Sequence, residues 1–294
     1  MQISRLHEIN DLVISFELFP PKNPEAEARL FDQTIPELLT LDPGFLTCTY
    51  GTGGSTRDQT LDIMSRIKNE AGAEVASHLT CVGSSRDEIA AYLEQTRANG
   101  ITNIVALRGD PPAGDTGFRP HPEGCKLAVE LVAFVKRLGG FDVVVAGYPG
   151  GHPECPDKHL DWQRCRDKVA AGADAIITQL FYDNREFFEF EDYLKNKLGV
   201  TVPIVPGVLP ILSTRQIKRF CDICRAKLPT PVLARLEELA DDNPACRRYG
   251  IDLATEMCDE LIRHGAAGIH FYTLNRAGST RQIMSNLGLC RSES

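Results

Sequence analysis

The chain has 294 residues, 43% of them apolar, and a formal net charge of −8. The acidic balance argues against non-specific nucleic-acid binding, and no run approaches the ~18 apolar residues of a membrane span. Ten cysteines without framework spacing, and a start (MQISRLHEIN) without a signal-peptide core, predict a cytoplasmic protein with reduced thiols.

The first predicted element is VISFELFPPK, residues 13–22. Its first seven residues are β-branched, apolar or aromatic and read as a buried strand that two prolines then end. Glu17 sits in it between Phe16 and Leu18. A buried carboxylate is costly unless it is paired, protonated or functional. Seven further runs follow in order: FLTCTYG, VASHLTC, NIVALRGD, DVVVAGYP, AIITQLF, PIVPGVLP and GIHFYTLN. Marked near their ends at Phe19, Tyr50, Cys81, Gly109, Tyr148, Leu180, Val208 and Leu274, they recur every 28 to 39 residues, apart from a last step of 66. That is the length of a βα unit, roughly 30 residues.

Helical patterns fill the gaps: PEAEARLFDQTIPELL, RDQTLDIMSRIKNE, SRDEIAAYLEQTRANG and LAVELVAFVKRLGG. Several start at Ser or Asp and stop near Gly. The long last step holds extra helices in PVLARLEELA and YGIDLATEMCDELIRHG. Eight strands alternating with helices fit a (β/α)₈ barrel or a doubly wound sheet. The count of eight, and polar residues near nearly every strand end, predict an α/β fold: a (β/α)₈ TIM barrel with extra helices before the last strand. No linker-like stretch interrupts it, so residues 1–294 are expected to form one barrel domain.

Side chains alternate in and out of a barrel, and chemistry sits at its carboxyl rim. Ser15, Glu17 and Phe19 then share the inner face of strand one, with Ile14, Phe16 and Leu18 outside. The same alternation points Thr49, His78, Tyr148, Gln179, His270 and Tyr272 at the barrel mouth, with Asp110 just after strand four. Each has a plainer reading. Glu17 can pair with a structural Arg or Lys, His78 and His270 can be hydrogen-bonded core histidines, and Asp110 can be a turn residue or helix cap before Pro111. Their convergence on one rim carries the functional reading.

Three other signals are weak. GTGGST, residues 51–56, lacks the GxGxxG register and reads as a rim loop. CDIC, residues 221–224, has no second cysteine pair and reads as helix packing rather than zinc binding. GHPEC, residues 151–155, brings His152, Glu154 and Cys155 together but reads better as a proline-shaped rim loop than as a metal site.

SFELFPPK, TYGTGG, HLTC, ALRGDPP, AGYPGGHPE, ITQLFYD, PGVLPI and HFYTLNRA occur in that order and span about residues 13–287. Together they closely resemble the methylenetetrahydrofolate reductase family. The resemblance implies a barrel with non-covalent FAD, reduced by NADH or NADPH and reoxidised by methylenetetrahydrofolate in ping-pong fashion. It implies small-molecule partners, no nucleic acid or membrane, and a homo-oligomer. Glu17 matches the family's general acid, and Asp110 the carboxylate near the flavin ring that also meets the folate pterin. Thr49, Tyr50, Thr52, His78, Arg108, Gly109, Ala128, Tyr148, His152, Asp161 and Lys168 fall on flavin positions. Gln179, Gln216, Phe220 and Arg276 fall on folate or nicotinamide positions. No metal is implied. Desolvation and the charge of Asp110 are both expected to keep Glu17 protonated.

Leu127 and Asp167 are departures: many relatives have an aromatic at the first position, and a basic residue can occur at the second. The chain stops soon after the last strand, so inhibition by adenosylmethionine, which needs a further domain, is not expected. Two rivals remain: a metal-dependent barrel hydrolase or lyase built on His78, Asp110, Glu17 and His270, and a non-catalytic flavin or folate binder.

Overall fold

The computed structural model describes residues 1–50, 56–110 and 118–290. Thr52 and most of the GTGGST loop lie outside the described residues. Short strands alternate with helices from β1 (Val13–Leu18) and β2 (Phe45–Cys48) through β3 (Val75–Thr80), β4 (Asn103–Leu107), β5 (Asp142–Gly147) and β6 (Ala175–Thr178). Strand seven is in two pieces, β7 (Ile204–Val205) and β8 (Gly207–Val208), and β9 (Gly268–Tyr272) completes the set. All pairings are parallel, in the order β7-β6-β5-β4-β3-β2-β1-β9-β8.

One residue, Pro206, separates β7 from β8. β7 pairs only with β6 and β8 only with β9, so the two pieces make one stave that closes the sheet. The predicted (β/α)₈ barrel is the observed fold. The split has a cause beyond the missing proline N–H. Tyr272 Oη donates across the stave to the Thr178 carbonyl at 2.7 Å, and Gly207 N donates to Thr178 Oγ1 at 2.9 Å. A Cβ on Gly207 would sit 2.8 Å from Tyr272 Oη, so only glycine leaves the tyrosine its path.

Alternation divides the apolar residues as expected. Ile14, Phe16 and Leu18 pack outward under the helices, whereas Val13, Phe45, Ala76, Val105, Val144, Ala175 and Val205 fill the barrel. The helices begin where their capping chemistry dictates. In α5 (Arg86–Ala98), Ser85 and Glu88 form a reciprocal capping box. The extra helices before β9 are α10 (Thr230–Glu238) and α11 (Asn243–Arg263), preceded by α9 (Thr214–Cys224).

The first helix, α1 (Ile3–Ile9), is absent from the sequence reading, because seven residues with two buried side chains make no periodic signal. It plugs the amino end of the barrel with Ile3 and Leu6. Asn103 Oδ1 accepts from Ile3 N at 2.9 Å and Asp142 Oδ2 from Ser4 N at 2.8 Å, so side chains at the starts of β4 and β5 cap the helix.

Candidate active site

At the opposite, carboxyl end the strand register gathers the polar residues. Glu17 is level with Thr47 of β2 and Tyr272 of β9, and Ser15 is level with His270 one layer deeper. The Glu17 carboxylate meets His78 Nε2 at 3.4 Å, His270 Nε2 at 3.5 Å and Thr47 Oγ1 at 3.5 Å. His270 Nδ1 lies 2.8 Å from Ser15 Oγ. A hydroxyl donating to Nδ1 selects the tautomer with its proton on Nε2, which faces Glu17.

Among the described residues Glu17 thus pairs with histidines rather than with an Arg or Lys, and its charge state differs from the expectation. Burial pushes its pKa up, but hydrogen bonds from His270 and His78 outweigh burial and hold it down at about 2. Asp110 is not among the main groups acting on Glu17; it acts on Arg108, Tyr148 and Cys224. Glu17 is thus held as a carboxylate, because the imidazoles of His78 and His270 converge on one of its oxygens.

Above Glu17 opens a cavity of about 380 Å³ lined by Thr49, Tyr50, His78, Gly109, Asp110, Tyr148, Gln179 and Tyr272 among others. A second chamber, about 440 Å³, is lined by Arg108, Ala128, His152, Asp161, Arg164 and Lys168 among others. Gly109, Asp110, Ala146 and Tyr148 line both, so the two chambers meet at their shared edge. Gly109 has φ +86°, and a Cβ there would lie 2.7 Å from Val82 Cγ1 and 2.9 Å from Thr80 Cβ, so this turn accepts only glycine.

In the outer chamber Asp161 accepts from His152 N at 3.1 Å, Lys168 Nζ donates to the Ala146 carbonyl at 2.5 Å, and the His152 ring stands edge-on to Tyr148. Burial pushes the Asp161 carboxyl up and the His152 imidazole down. Arg108 reaches Glu154 with both terminal nitrogens. Leu127, the departure from the family's aromatic, is 53% exposed on this chamber's wall. Asp167 lies on the same wall, paired to Arg166 at 2.9 Å.

The structure brings together Glu17, Thr49, Tyr50, His78, Gly109, Asp110, Tyr148 and Gln179 around one cavity, and Arg108, Ala128, His152, Asp161 and Lys168 around the other. Gln216, Phe220 and Arg276 line neither. Gln216 and Phe220 stand earlier on α9, and Ile223 and Cys224 from its last turn border the cavity in their place. CDIC is thus only partly helix packing: Cys221 is buried, but Cys224 reaches the mouth. Arg276 is exposed at the start of α12 (Ala277–Asn286). Missing from the sequence reading of the site are Thr47, Thr80 and Ile223. The two threonines follow from strand alternation, Ile223 only from where the last turn of α9 meets the rim. Among the described residues no cluster of three or more His, Cys, Asp or Glu is placed to hold a metal ion, and no helix is long and apolar enough to cross a membrane.

Fold and site define a (β/α)₈ barrel protein with a carboxylate held between two histidines beneath a two-chambered rim cavity. A family model described as methylenetetrahydrofolate reductase matches residues 2–288. The 5,10-methylenetetrahydrofolate reductase of Escherichia coli (strain K12) is 38% identical over 276 residues, covering 94% of this chain and 90% of that protein. The chain belongs to the methylenetetrahydrofolate reductase family. A relative from Arabidopsis thaliana, methylenetetrahydrofolate reductase (NADH) 1, is 39% identical over 299 residues, 98% of this chain but 50% of that protein. The chain spans about half the length of such plant relatives. Among solved structures, a Clostridium thermocellum protein described as binding two copies of 5-methyl-5,6,7,8-tetrahydrofolic acid superposes with a TM-score of 0.63 over 97% of both chains. At 14% identity that likeness concerns the fold alone.

Proposed function

We propose that this barrel reduces 5,10-methylenetetrahydrofolate to 5-methyltetrahydrofolate with electrons from a nicotinamide nucleotide, relayed by non-covalently bound FAD. The observation that carries the reading is the placement of Glu17 between His78 and His270 on the floor of the inner chamber. The residues present suit a flavin. Thr80 Oγ1 is buried in this wall with no hydrogen-bond partner among the described residues, and a polar ligand would satisfy it. The glycine-only turn at Gly109 lets backbone approach a flat ring, and the outer chamber supplies Arg108, Arg164 and Lys168 to a diphosphate. Bound there, FAD would supply hydride-transfer chemistry between the nicotinamide and the folate.

The chain's own residues do the rest. Gln179 offers both a donor and an acceptor to a nicotinamide amide or a pterin. Asp110, at the junction of the chambers, accepts from the pterin and places a negative charge beside the flavin. Glu17 handles the proton. The five-membered ring of the folate must open before it can take hydride, and the departing nitrogen needs a proton at that moment. In the ligand-free barrel Glu17 is ionised. A folate that seals the mouth strips water from the carboxylate, which favours its taking a proton from the departing solvent, and Glu17 then gives that proton to the departing nitrogen. The imidazoles of His270 and His78, within 3.5 Å, hold the carboxylate oxygen in place.

The test is the visible spectrum of the purified protein and its two half-reactions under anaerobic conditions. Expected are flavin bands that NADH or NADPH bleaches and methylenetetrahydrofolate restores. A colourless protein with stoichiometric bound metal overturns the reading in favour of a metal-dependent hydrolase or lyase.

A further inference from the structure

The YPGGHPE motif ends in a residue that the reading above leaves without a task. Glu154 grips Arg108 as a fork: Nη1 to Oε2 at 2.5 Å and Nη2 to Oε1 at 3.0 Å. The Phe118 ring lies 4.9 Å from the guanidinium carbon. Two parallel N–H···O bonds from one guanidinium to two oxygens of one group is also how arginine takes a phosphate. Both residues line the outer chamber, where a diphosphate belongs on the FAD reading. Of the chamber's other cations, Arg164 and Lys168, the lysine is also engaged, on the Ala146 carbonyl.

The partners differ in freedom. The Arg108 side chain is 22% exposed, that of Glu154 58%. Arg108 is anchored between strand end, Phe118 and Gly109, whereas Glu154 can turn into solvent at the cost of little more than the pair itself. Asp110 also lines the chamber and acts on Arg108 by charge, but only Glu154 takes its fork. Asp161 is buried and tied to the His152 amide, and Asp167 is paired with Arg166.

We propose that Glu154 is a built-in counter-ligand of the outer chamber: it holds the Arg108 fork in the empty protein and must be displaced by the cofactor diphosphate, so it weakens flavin binding and keeps the cofactor exchangeable. The proposal rests on the FAD reading. It predicts a gain of affinity on mutation, which damage to a structural contact does not give.

The experiment titrates apo-protein with FAD, followed by quenching of flavin fluorescence, and with ADP by calorimetry. Glu154→Gln keeps the shape and removes the charge. The expected result is a Kd about two- to fivefold lower for both ligands, the range of a partly exposed ion pair. In an Arg108→Lys background, where a point charge replaces the fork, the gain from Glu154→Gln should shrink by at least half. An unchanged or raised Kd in Glu154→Gln overturns the proposal. So does an equal gain in the Arg108→Lys background, because Glu154 then acts by charge at a distance rather than by occupying the fork. If wild-type protein binds neither FAD nor ADP, the flavin reading itself fails.

Discussion

The two ends of this barrel bury polar side chains in the same interior and settle them in opposite ways. At the amino end, Asn103 accepts from Ile3 N at 2.9 Å and donates to the carbonyls of Met1 and Val75 at 3.0 and 3.2 Å, while Asp142 accepts from Ser4 N at 2.8 Å. At the carboxyl end, Glu17 has three donors at 3.4–3.5 Å, near the limit of a useful hydrogen bond, and Thr80 Oγ1 has none among the described residues. The well-bonded pair Asn103 and Asp142 contributes stability. The loosely bonded groups at the rim keep their capacity for a ligand, which is how a barrel separates folding from chemistry.

Substitutions at the two ends should therefore fail differently. The largest expected effect is at the rim. Glu17→Gln should keep FAD bound and leave flavin reduction by the nicotinamide near normal, but slow reoxidation by methylenetetrahydrofolate about 10²–10⁴-fold, the usual contribution of a general acid. Stopped-flow measurement of each half-reaction checks it; an unimpaired folate half-reaction makes Glu17 a structural carboxylate. At the plugged end, Asn103→Ala leaves the Ile3 amide buried without its acceptor, at about 1–3 kcal/mol for each buried group so stranded. Urea denaturation should show that loss, while kcat and KM of the folded fraction stay put. Altered kinetics with unaltered stability would erase the distinction between the ends.

Stability against pH sharpens the same comparison. The Glu17 carboxyl is held below its ordinary value of 4.5, at about 2, so the unfolded chain takes up its proton first. The stability this group contributes is whole above pH 4.5 and is lost as pH falls toward 2. Glu17→Gln lacks that contribution at every pH. Its deficit against wild type, read from urea curves, should narrow as pH drops below about 4.5; parallel curves would show the carboxylate gaining nothing from its histidines. A smaller change is expected for Asp110→Asn, which should raise the flavin potential and weaken folate binding. If neither moves, Asp110 does not belong to the site. The smallest expected effect is none: exhaustive chelation should leave turnover intact, and activity lost and then restored by zinc or magnesium would reverse the assignment.

Much of this was legible in the chain. The repeat of strand-like runs gave the barrel because each βα unit reports its own boundaries locally. Two-residue alternation in VISFEL placed Ser15 and Glu17 inside and Phe16 and Leu18 outside, as observed. The residues carried over from the family mostly border the two chambers, because strand ends are fixed to the rim by the sheet. The exceptions sit on helices and loops. Gln216 and Phe220 stand earlier on α9, whose last turn brings Ile223 and Cys224 to the cavity instead. The plug helix was invisible because its capping partners, Asn103 and Asp142, lie 100 and 138 residues away.

By itself, the sequence determined the order of strands and helices, the inward face of each strand and the identity of the acid at residue 17. All of these follow from near-neighbour pattern and from the sterics of proline, glycine and β-branched residues. Only the tertiary structure decided the charge that acid carries. Burial alone pushes Glu17 toward the neutral form, but strands three and nine each bring an imidazole within 3.5 Å of one of its oxygens. Residues 17, 78 and 270 come together only when the barrel closes, and a pKa is a property of that distance, not of the chain.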